Sequence, residues 1–118
     1  MIEEGILLVC LLEGAEISLE DSKLMLEISL SIKGGEKFVA LVDARAEITV
    51  SKESREWSTT PEAQKNMVAQ AILVNSLANR LVGNFIIKFH KPIAKTSLFS
   101  DEQAALVWLR EQKRIAGI

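Results

Sequence analysis

In this chain of 118 residues, chemistry has few side chains to draw on: one cysteine, Cys10, one histidine, His90, a carboxylate closing an apolar run, Asp43, and the polar stretch Ser51-Lys52-Glu53-Ser54-Arg55. A nucleophilic triad has to recruit His90, which lies between Phe89 and Lys91-Pro92, and no Gly-x-Ser-x-Gly elbow presents a serine to it. His90 reads instead as a helix-end residue whose cationic form favours the last carbonyls. Cys10 sits inside the apolar run from Ile6 to Leu12 without a basic neighbour, so a buried, protonated thiol that fills core space is expected. One Cys and one His cannot complete a closed zinc site. The six glycines form neither Gly-x-Gly-x-x-Gly nor Gly-x-x-x-x-Gly-Lys, so no cradle for a nucleotide phosphate is signalled and no cofactor is expected. A phosphoacceptor aspartate at a strand end needs an acidic pair after the first strand to hold Mg²⁺. Leu11-Leu12 stand there and Glu13 is alone. Asp43 is therefore expected to cap or to pair, with Arg45 or Lys52.

Composition narrows the classes further. Hydrophobic residues make up 48% and charged residues 25%, enough apolar surface to offset the entropy of ordering, which argues against disorder. With 14 basic and 16 acidic side chains the net charge is −2, and no basic excess offers a track for nucleic acid. The start Met1-Ile2-Glu3-Glu4 is acidic where a secretory signal is basic, and no apolar stretch approaches the roughly 20 residues of a membrane span. A cytoplasmic protein, with one domain over residues 1–118, is expected.

The elements that must position these residues follow from periodicity and punctuation. Gly5 to Leu12 suits a strand buried on both faces, ended by Glu13-Gly14. From Ser18 to Ile32 a period of two through Leu24, Leu26, Ile28, Leu30 and Ile32 competes with a helical face of Leu24, Met25, Ile28 and Ile32. Terminal signals favour helix: Ser18 and Asp21 form a capping pair, acids crowd the first turn, and Gly34 can close the end. Phe38 to Val42 suits a central strand with Asp43 at its C-terminal end, and Ile48-Thr49-Val50 is a short apolar continuation. Ser51 caps a short helix through Trp57, and Thr60-Pro61 starts another turn. Met67 to Val74 is a further strand. Leu77, Leu81, Phe85 and Phe89 recur every four residues and predict a helix from Ser76 to Phe89, stopped by Pro92. A strand near Lys95 to Phe99 leads to a last helix capped by Ser100, with Lys113 and Arg114 at its favoured cationic end. The alternation of strand and helix predicts an α/β fold, a mixed or parallel sheet of about four to five strands with helices packed on it.

This order, with the acidic end of the second strand and a serine-containing loop opening the next helix, resembles the STAS fold of anti-sigma-factor antagonists. More closely, it is similar to a SpoIIAA-like group of small bacterial proteins, also described as STAS/SEC14-like. The resemblance rests on Leu41-Val42-Asp43, Val50-Ser51-Lys52-Glu53-Ser54-Arg55-Glu56, Asn79-Arg80-Leu81-Val82-Gly83-Asn84-Phe85, His90-Lys91-Pro92, Leu98-Phe99-Ser100-Asp101-Glu102 and Ala105-Leu106-Val107-Trp108-Leu109. None of these is a catalytic signature, so the resemblance speaks to fold more than to activity. In regulatory STAS proteins a partner kinase phosphorylates a serine in an Asp-Ser-Ser-Gly loop at a helix start. Here Ser51 takes the aspartate position and Glu53 the phosphoserine position, and the glycine is absent, although Ser51 and Ser54 are chemically able to accept phosphate. The simpler account of the same residues is an N-cap, Ser51, followed by a first-turn acid, Glu53.

Two functions follow as expectations. The first is a non-enzymatic regulatory or protein-interaction module whose partner-binding loop contains Asp43, Ser51, Glu53, Ser54 and Arg55. The alternative is a small-molecule or lipid-binding domain whose apolar pocket is lined by the helix over 76–89, with Trp57, Leu77, Leu81 and Phe85 as its surface. The same surface suits a homodimer contact, and the simpler account of it is a covering sheet on one side and the last helix on another. Trp57 stands between core residue and interface anchor.

Overall fold

The computed structural model describes residues 5–46, 49–76, 80, 81, 84 and 94–118. Their elements are β1 (Ile6–Cys10), β2 (Glu16–Ile17), α1 (Leu19–Lys33), β3 (Phe38–Asp43), β4 (Thr49–Val50), α2 (Lys52–Trp57), β5 (Met67–Leu73), β6 (Lys95–Phe99) and α3 (Glu102–Ala116). The main sheet runs β1-β3-β5-β6 with every neighbouring pair parallel, and β2 pairs with β4 in a separate parallel ribbon. The predicted α/β fold is thus observed, with a purely parallel main sheet.

Register and the period of two decide which residues share a face. Ile6, Val39 and Ala69 lie in one row, and Leu8, Leu41 and Ala71 in the next. This face carries α3: Ala105 and Leu109 are fully buried against Ile6, Val39, Leu41, Ala69, Ala71 and Leu73. Alanines at 69, 71 and 105 let the helix approach the strands closely, while Phe99 and Trp108 close the side with ring centroids 5.6 Å apart. The opposite face holds a second cluster of Leu7, Phe38 and Ala40, with Val42 and Met67 against it. A shift of register between Phe38 and Val39 leaves Val68 as an extra residue on β5.

Helix ends behave as their side chains dictate. Ser18 and Asp21 form a reciprocal capping box on α1, and Gly34 ends it in the left-handed conformation that only glycine adopts without cost. Ser51 caps α2. The last helix is capped by Asp101, whose carboxylate accepts from the Ala104 N–H, and not by Ser100 as expected. Asp101 holds the extended backbone of a cap, and an ionised oxygen is the stronger acceptor for the positive helix end. After Thr60 one turn forms, with the Thr60 hydroxyl accepting from the Ala63 N–H.

Two further expectations about β1 are corrected. The strand stops at Cys10, and its later half is open, with Leu8 and Cys10 exposed, because β1 is an edge strand. Cys10 consequently lies in solvent and is not a core residue. The predicted helix over 76–89 falls largely outside the described residues, as do Ile48, His90 and Pro92. Within it, Arg80, Leu81 and Asn84 are helical and the Arg80 N–H donates to the Ser76 carbonyl at 2.9 Å.

Candidate partner-binding surface

The polar stretch opens α2 directly after the β2–β4 ribbon, which the Ser51 N–H extends by donating to the Ile17 carbonyl at 2.9 Å. Ser51 turns its hydroxyl onto the helix start, where it accepts from the Ser54 N–H at 3.0 Å. Ser54 is itself only 1% exposed, and its hydroxyl is hydrogen-bonded to that of Ser22 on α1. The two hydroxyls fasten α2 to α1 and fix its rotation. Lys52, Glu53, Arg55 and Glu56 are then left on the solvent side. Lys52 and Glu56 form an open ion pair at 3.9 Å, which contributes little to stability. Of the five loop candidates, Glu53 and Arg55 are presented to solvent, Ser51 is half-buried as the cap, and Ser54 faces inward.

Asp43 ends β3 at the C-terminal rim of the sheet, in register with Cys10 on one side and Leu73 on the other. Among the described residues it is joined to Arg45 and not to the α2 stretch. The guanidinium grips it with Nε–Oδ1 at 2.9 Å and Nη2–Oδ2 at 2.8 Å, and the Arg45 N–H also donates to Oδ1. These hydrogen bonds, the side-chain ones foremost, hold the Asp43 carboxyl below the usual carboxylate range against a smaller opposing effect of burial. The pairing with Arg45 expected from sequence is present, while Lys52 is engaged by Glu56.

Trp57 is half-buried at the end of α2 and donates from its indole N–H to the Glu62 carboxylate at 3.0 Å. Leu81 is exposed, and Leu77 and Phe85 lie outside the described residues. Sequence reading missed the residues that hold these parts in place. Ser22 is 32 positions from Ser54, and no local pattern links them. Gln64 is buried, its amide donating to the Ser58 carbonyl at 3.0 Å and its oxygen accepting from the Ala94 N–H. Asn66 before β5 has a φ of 65°, a left-handed turn that asparagine tolerates, and is the one signal of a tight bend there. No group of three His, Cys, Asp or Glu among the described residues is arranged to hold a metal ion. No described helix is long and apolar enough to cross a membrane.

The fold so defined is SpoIIAA-like. A crystal structure of an uncharacterised protein from the DUF3478 family with a SpoIIAA-like fold, from Shewanella loihica PV-4, matches it with a TM-score of 0.61. The match covers 81% of this chain and 79% of that one at 20% identity. A family model described as a domain of unknown function, DUF7793, matches residues 1–113, and the chain belongs to that family. No curated protein matches it.

Proposed function

We propose that this chain is a non-enzymatic regulatory module that binds a partner protein through the outer face of α2. The observation that carries this reading is the inward anchoring of Ser54 on Ser22, which leaves Glu53 and Arg55 exposed to solvent on either side of it. By the resemblance to regulatory STAS proteins, this is the place where those proteins gain charge on phosphorylation. Here Glu53 supplies a carboxylate without a kinase, so partner binding is constitutive. Non-enzymatic action is read from the sequence, whose single histidine and single cysteine belong to no catalytic motif.

The test is native mass spectrometry on tagged protein purified gently from its own host, for the wild type and for Glu53→Lys combined with Arg55→Glu. The expected result is an additional protein mass on the wild type that the double variant loses while keeping its melting temperature. A wild type without that mass, or a variant that retains it, overturns the reading. A small non-covalent adduct in place of a protein favours the ligand-binding alternative.

A further inference from the structure

α1 is apolar on both sides. Its inner side carries Met25, Leu26 and Leu30, with Ser22 and Ser29 between them, all half-buried. Its outer side carries Leu24, Ile28 and Ile32, at successive steps of four, and these are 54%, 52% and 53% exposed. An apolar face of this kind is ordinarily covered. Three large side chains in one row, each more than half in water, make a continuous stripe of the kind that marks an association surface.

The charge around the stripe says what fits it. Glu16, Glu20, Asp21 and Glu27 are exposed along β2 and α1, and among the described side chains there the exposed base is Lys23. The chain as a whole is divided the same way: residues 1–36 carry eight acidic and two basic side chains, residues 37–118 eight and twelve. A second copy packed antiparallel about Ile28 brings the Glu27 side chains of the two helices side by side, a like-charge contact. An anionic lipid surface meets the same repulsion. We infer that the outer face of α1 docks an amphipathic helix of a partner protein, with apolar residues seated on Leu24, Ile28 and Ile32 and lysines or arginines flanking them to meet Glu20 and Glu27.

The probe is a fluorescein-labelled synthetic helix of about five turns, leucines on one face and lysines on the others, beside a control with glutamates in place of the lysines. Anisotropy titrations with the full chain are expected to saturate with the lysine peptide and not with the glutamate peptide. Ile28→Ser, or Leu24→Ser should the first variant fold poorly, is expected to weaken the lysine peptide about tenfold. Glu27→Lys should weaken it as well. Equal binding of the two peptides, or an Ile28→Ser titration like that of the wild type, overturns the inference. So does a wild-type dimer that Ile28→Ser converts to monomer in light scattering, since a second copy then covers the stripe. The α2 variants above leave this face intact, so a failed titration overturns the α1 surface alone.

Discussion

Leu109→Ala is the sharpest test of how the last helix sits on the sheet. Leu109 is 0% exposed, and its neighbours across the interface include the strand residues Leu41, Ala69, Ala71 and Leu73. A sheet tied by backbone ladders on both sides cannot close on the space, so the loss of packing adds to the loss of transfer energy, and the cost is about 3 kcal/mol. With an unfolding entropy of about 2.1 cal/mol/K per residue over 118 residues, that lowers the midpoint by about 12 °C. Val107, two positions back on the same helix and 63% exposed, is the control. Val107→Ala should change stability by less than about 0.5 kcal/mol, helped by the better helix propensity of alanine. Urea unfolding followed by circular dichroism measures both. Equal losses from the two substitutions would refute the packing, because they would mean that neither side of α3 is pressed on the sheet.

Gln64→Ala removes both bonds of a buried amide and leaves the Ala94 N–H without its acceptor, which should cost about 2 kcal/mol and speed hydrogen exchange at Ala94; unchanged exchange there would disprove the clasp. Arg45→Ala should raise the Asp43 titration midpoint toward the ordinary carboxylate range, read from its carboxyl carbon by NMR. Because the folded-state value is depressed, the stability that pairing provides is present above the ordinary range and fades as pH falls through the folded value. It is small, since Arg45 is well exposed.

Most elements were legible in the sequence because their signals are local. Ser18 with Asp21 marks the start of α1, Gly34 its end, and Ser51 the start of α2, since each acts within three or four residues of itself. The short strand expected near Lys95 to Phe99 is present as β6. Apart from the cap of α3, where Asp101 stands in place of Ser100, what failed was set by distant neighbours. The run from Ile6 to Leu12 has the composition of a central strand, but β1 is an edge, and composition does not encode strand order. The exposure of Cys10 follows from that placement. The candidate surface was legible in the same measure: Ser51 was recognisable as a cap, whereas the inward turn of Ser54 depends on Ser22.

The two long helices show why the outward face of α1 matters. Each has fifteen residues. In α3, apolar residues gather on one side and meet the sheet, so burial adds to the Asp101 and Gly117 caps in holding it. In α1, the face counted from Leu24, Met25, Ile28 and Ile32 is mostly turned outward, and the inner side includes two serines. One of these bonds to Ser54, and the other donates its hydroxyl to the Met25 carbonyl at 2.8 Å. A capping box, a glycine stop and a hydroxyl pair orient this helix. Leucine and isoleucine at 24, 28 and 32 keep only about half of their surface out of water, so they contribute less to the fold than the fully buried side chains under α3 do. Those three side chains are accounted for by association, and their acidic flanks make that association selective for a basic partner.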